Sequence, residues 1–112
     1  MKKLLLASLL TMASSSAFAY CSFSTYISDD DKYNSSGNYL GGSVSKTSAA
    51  AILRQNRVYS GSTECGLHNT SNRAKFEAKV RKSNISPAMI RNIVRGNPYV
   101  TVDIYNSHVE IY

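Results

Sequence analysis

The residues with the most chemistry in them stand together near the end of the sequence, in PYVTVDIYNSHVEIY (98–112). Apolar and polar residues alternate on both sides of Asn106-Ser107, the pattern of a hairpin with one buried face. A turn at that point pairs Val102 with Ile111, Asp103 with Glu110 and Ile104 with Val109. A slip of one residue would set Ile104 against Glu110 and scatter the apolar face, so burial selects the first register. The polar side then carries Asp103, His108 and Glu110 together. Two carboxylates and an imidazole suit Zn²⁺ or Mn²⁺, which makes this trio the candidate metal site. The register alone, however, is sufficient to bring the three together. Like charges facing each other across a ladder are relieved as readily by a helix cation or by water. No resident cofactor is expected.

Histidine acid–base chemistry is the second candidate. A small phosphodiesterase or nuclease needs an acid and a base flanking a phosphate held by Lys or Arg. His68, His108 and the pairs Arg54/Arg57 and Arg91/Arg95 are the available parts, but no spacing in the sequence brings them together. No nucleophile elbow, zinc-protease motif, Walker loop or dinucleotide fingerprint is present.

The elements that must position these groups are legible from periodicity. Residues 20–27, YCSFSTYI, alternate Cys21, Phe23, Thr25 and Ile27 against Tyr20, Ser22, Ser24 and Tyr26, as a strand does. The following SDDDKYNSSGNYLGGS reads as a loop whose aspartates are solvated, since its spacing does not match an EF-hand. Residues 45–57 predict a helix capped by Ser45 that buries Ala49, Ile52 and Leu53 and turns Lys46, Ala50, Arg54 and Arg57 outward. Residues 71–83 predict a second helix with Phe76 and Val80 inward and an Arg73–Glu77 pair at i,i+4. The third, in ISPAMIRNIVRGNP, has Ser86 as cap, Pro87 in its first turn and Gly96 and Pro98 beyond its end. It turns Met89, Ile90, Ile93 and Val94 to the core, with Arg91 and Arg95 outside. The sum is a small single α+β domain: an N-terminal strand, three short helices and a C-terminal β-hairpin, with the helices layered on a small antiparallel sheet. The last two helices loosely suggest a helix-turn-helix, but the third has little polar surface between its arginines, so nucleic acid is an unfavoured partner.

The first residues read MKKLLLASLLTMASSSAFA: a basic start, a short apolar run and an A-x-A site at residues 17–19. That is the logic of a secretory signal peptide over residues 1–19, leaving a mature domain over 20–112. The apolar run is well short of the roughly 20 residues a spanning helix needs, so no membrane span is expected in the mature form. Tyr20 before Cys21, where a small residue is required, argues against a lipoprotein. Export to the periplasm or beyond implies an oxidising compartment, and the two cysteines, Cys21 and Cys65, then form one disulfide. A thiol pair so far apart does not resemble a C-x-x-C redox motif.

Formal charge is +6 over the whole chain, and loss of Lys2 and Lys3 with the signal reduces it to +4. Ten basic residues lie between Lys46 and Arg95, set between an acidic start (Asp29–Asp31) and an acidic end (Asp103, Glu110). All eight tyrosines fall in the mature region, and Tyr99 and Tyr105 share the polar hairpin face with His108. These features favour a small exported bacterial accessory protein without catalysis of its own. It would engage a protein partner or an anionic envelope polymer through Arg54, Arg57, Arg91 and Arg95 or through Tyr99, Tyr105 and His108. The phosphodiesterase is the alternative. Oligomeric state is not readable from the residues.

Overall fold

Alternation of Phe23 and Ile27 against exposed serines produces strand β1 (Cys21–Tyr26) in a computed structural model that describes residues 19–112. The proposed signal peptide falls almost wholly outside the described residues. Strand β1 pairs antiparallel with β2 (Tyr99–Ile104), which pairs antiparallel with β3 (Val109–Ile111), giving the order β1-β2-β3. The hairpin register is the one that burial demands: Val102 faces Ile111, Asp103 faces Glu110 and Ile104 faces Val109. Tyr105 N–H donates to His108 O at 2.8 Å and closes the turn around Asn106-Ser107.

Three helices cover the inner face: α1 (Lys46–Ser60), α2 (Thr70–Lys82) and α3 (Pro87–Arg95). Each starts at a side-chain cap that accepts an otherwise unpaired N–H: Ser45 from Ser48, Asn69 from Asn72 and Ser86 from Met89. Helix α1 runs three residues further than its apolar stripe, to Gly61, which takes the left-handed conformation (φ 64°) favoured at helix ends. Phe23, Val100, Val102, Ile104 and Val109 from the sheet pack against Ile52, Leu53, Phe76, Val80, Ile93 and Val94 from the helices. Ser83, at the end of α2, accepts from Val109 N–H at 2.8 Å and so fastens the short β3 to the helix layer.

The cysteines pair, Cys21 at the start of β1 with Cys65 in the connection between α1 and α2. Cys65 is the one non-glycine residue with positive φ (56°) among the described residues. Its bond to Cys21 therefore holds a backbone conformation that L-residues ordinarily avoid.

Two expectations from the sequence are corrected here. Arg57 does not face outward: it is 3% exposed, with its guanidinium 4.0 Å from the centroid of the Phe23 ring. The reason is a buried polar cluster. Asn56 Oδ1 accepts from Arg57 Nε (3.0 Å) and NH2 (2.8 Å), while Asn56 Nδ2 donates to Asp31 Oδ2 (2.8 Å) and to Tyr26 O (3.1 Å). Ala50 is fully buried as well. The second correction concerns the loop of residues 28–43. Its aspartates form a 3-10 turn (Asp29–Lys32), in which Asp31 and Lys32 are buried rather than solvated. Lys32 Nζ donates to Gly96 O at 2.7 Å and to Val94 O at 3.3 Å, supplying positive charge at the C-terminus of α3. Burial lowers the pKa of Lys32, with Asp29 and Asp31 opposing the shift.

Candidate functional site

Side chains alternate across a strand, so the residues opposite the core form one outer face of the sheet. Its rungs are Tyr26 beside Tyr99, Ser24 beside Thr101, and Ser22 beside Asp103 beside Glu110. Tyr112 pairs with Thr101 through both backbone bonds, and Tyr105 and His108 close the hairpin end. No lysine or arginine stands at any of these positions. Tyr26, Tyr99 and Tyr112 are 70%, 58% and 65% exposed, and the rings of Tyr26 and Tyr99 lie 4.6 Å apart. Seven of the eight tyrosines are among the exposed large side chains, and the ring-bearing core residues are Phe23 and Phe76. Tyrosine in this fold serves the surface.

The candidate metal trio is brought together only in part. Asp103 and Glu110 are cross-strand neighbours, and His108 Nε2 lies 3.3 Å from Glu110 Oε2. Each carboxylate is already engaged by hydroxyls. Ser22 Oγ and Tyr112 OH donate to Asp103 at 2.6 and 2.9 Å, and Tyr105 OH donates to Glu110 at 3.3 Å. The imidazole of His108 stacks on Tyr105 with ring planes 2° apart and centroids 4.5 Å apart. Among the described residues, no group of three His, Cys, Asp or Glu side chains is placed to hold a metal ion.

These bonds move the phenols' titration. Tyr112 is shifted above the ordinary tyrosine value chiefly by donating to Asp103, and Tyr105 chiefly by burial, with the Glu110 charge adding to it. A raised pKa in the folded state contributes stability that is fully present below the unfolded value of about 10 and is lost as pH rises through the folded value. Absorbance titration of the phenolates is therefore expected to show a late-ionising class, and Asp103→Asn to return Tyr112 towards the ordinary range. A titration curve that Asp103→Asn leaves unchanged would contradict this.

The four candidate arginines do not make one patch. Arg54 is paired with Glu77 at 2.9 Å, and Arg57 is buried with Glu64 at 3.6 Å. Arg95 donates to Tyr39 OH and Gly41 O and so pins the loop, while Arg91 remains exposed. Glu77 takes Arg54 and Arg81 as partners, so the expected Arg73–Glu77 pair is replaced. His68 is exposed between α1 and α2, and His108 lies at the hairpin turn. Four clefts among the described residues are lined by other residues, with neither histidine in their walls.

The architecture is thus a disulfide-tied α+β domain with a tyrosine-bearing open sheet face, and among the described residues no helix is long and apolar enough to cross a membrane. Comparison with known proteins gives no match: no family model, no curated protein and no solved structure.

Proposed function

We propose that this chain is a small exported binding protein, not a catalyst, and that it docks a basic segment of a protein partner on the outer face of its sheet. The observation that carries this reading is the make-up of that face: Tyr26, Tyr99, Tyr105 and Tyr112 interleaved with Asp103 and Glu110, with no Lys or Arg at its outward positions. Exposed phenol rings give large contact area at little conformational cost, and they attract cations over their faces. The two carboxylates add a matching charge in a protein that is otherwise basic. An anionic envelope polymer is the less favoured occupant, because three of the four candidate arginines are committed to internal partners. The disulfide is compatible with an extracellular location, in keeping with export after cleavage at Ala19.

A fluorescent oligoarginine peptide and a heparin oligosaccharide serve as opposite probes. Oligoarginine is expected to bind in a salt-sensitive manner, despite the protein's positive net charge. Asp103→Asn/Glu110→Gln should weaken it about tenfold, the scale of one lost charge-assisted contact. Tighter binding of heparin than of oligoarginine, with no effect of the double substitution, would overturn the proposal.

A further inference from the structure

On the opposite side of the molecule, α1, α2 and the loop after Tyr33 enclose a groove of about 440 Å³. That lies within the roughly 300–1,000 Å³ usual for small-molecule sites. Its apolar wall is Leu40, Ala51 and Val58, and its polar wall is built from Ser35, Ser36, Gln55, Thr70, Arg54, Arg73 and Glu77. The loop side is fixed, since Asn34 Oδ1 accepts from the N–H groups of Ser36 and Asn38 at 2.9 Å each.

The charges in this groove do not balance. Glu77 is the only carboxylate in the lining, and it is spent on two cations, Arg54 on Oε1 and Arg81 on Oε2. Arg73 is left poorly satisfied. Its Nε is buried with no hydrogen-bond partner among the described residues, and its other two nitrogens reach Leu67 O and Thr70 Oγ1 only at 3.4 Å. The side chain is half-buried, and a carboxylate is the group that satisfies the planar fork of a guanidinium held only by such long bonds. Gln55 is 7% exposed, yet its amide nitrogen finds only Ser35 Oγ at 3.4 Å.

We infer that this groove binds a small hydroxylated carboxylate, a ligand of the sugar-acid class, with Arg73 taking the carboxylate. Ser35, Ser36, Gln55 and Thr70 supply the hydrogen-bonding set that ring hydroxyls require, and Leu40, Ala51 and Val58 supply a surface for the C–H face of a ring. One under-used cation suits a monoanion better than a dianionic phosphate. This site is separate from the sheet face and does not depend on its function.

Glucuronate is the probe, with glucose and acetate as its neutral and hydroxyl-free parts, followed by amide chemical shifts on the full mature protein. Glucuronate is expected to shift the amides of Ser35, Ser36, Arg54 and Arg73 together. Glucose and acetate should each bind at least about tenfold more weakly, and Arg73→Gln should weaken glucuronate by a similar factor. Arg73 is half-buried and held by two long hydrogen bonds, so Arg73→Gln is expected to stay folded, and its thermal melt checks this. Arg73→Lys, which keeps the charge but not the fork, should retain part of the affinity. Equal shifts from glucose and glucuronate, shifts outside the groove, no shifts at all, or glucuronate binding unchanged in folded Arg73→Gln would each overturn the inference.

Discussion

Asn56→Ala is expected to lower the unfolding free energy by about 3 kcal/mol, the upper range for leaving buried hydrogen-bonding groups without a partner. One amide here serves four groups: two Arg57 nitrogens on its oxygen, and Asp31 Oδ2 and Tyr26 O on its nitrogen. Its removal takes both side-chain hydrogen bonds from a guanidinium that is 3% exposed, leaving it the Glu64 carboxylate at 3.6 Å and an NH1 without a hydrogen bond among the described residues. Burial lowers the pKa of Arg57 while Glu64 and Asp31 hold it up, and arginine keeps its proton regardless, so the charge cannot escape by titration. In a domain of this size the melting temperature should fall by at least about 12 °C. Replacing both partners, Asn56→Leu with Arg57→Met, should cost less than Asn56→Ala alone, because the buried guanidinium leaves with its partner and Asp31 keeps the bond from Ser28 N–H. A loss of under about 1 kcal/mol for Asn56→Ala, the size of an ordinary substitution, would show that the cluster does not organise α1 against β1.

Removal of the disulfide is the second large effect. Cys21 and Cys65 are 44 residues apart, and closing a loop of that length is worth about 4 kcal/mol on the chain-entropy account. The double variant Cys21→Ser/Cys65→Ser should lose about that much in urea denaturation, a large share of the stability of a domain this small. Position 65 adds a finer expectation. Its φ of 56° is natural to glycine and costs other residues about 1 to 2 kcal/mol. Cys21→Ser/Cys65→Gly should therefore be more stable than Cys21→Ser/Cys65→Ser by about 1 kcal/mol. A double-serine variant as stable as the parent would contradict the first part, and a less stable glycine variant the second.

Much of this architecture is legible in the residues. The hairpin register follows from period-two burial of Val102, Ile104 and Val109, and the starts of α1 and α3 from serines that must accept an N–H. The disulfide follows from there being only two cysteines. What escapes is long-range and polar. Arg57 lies at the flank of the apolar stripe of α1, and its inward turn is decided by the Phe23 ring and by Asp31, 26 residues upstream, acting through Asn56. Asp31 and Lys32 read as a solvated charge run, because nothing local announces that one meets Asn56 and the other the end of α3. Glu77 prefers Arg54 from another helix to Arg73 one turn away, which no single-helix spacing rule can anticipate. The groove around Arg73 is assembled from three separated segments and leaves no motif. The sheet face is the reverse case: the alternation that places Val102 and Ile104 inside also turns Tyr99, Asp103 and Tyr105 out, so its composition could be read before its neighbours in β1 were known.

Whether this outer face is the binding surface is decided by amide chemical-shift mapping with oligoarginine on residues 20–112. The expected result is a continuous set of shifted residues across Tyr26, Tyr99, Thr101, Asp103, Glu110 and Tyr112, with α2 and α3 unaffected. Shifts centred on the helices, or a sheet face silent at saturating peptide, would contradict it.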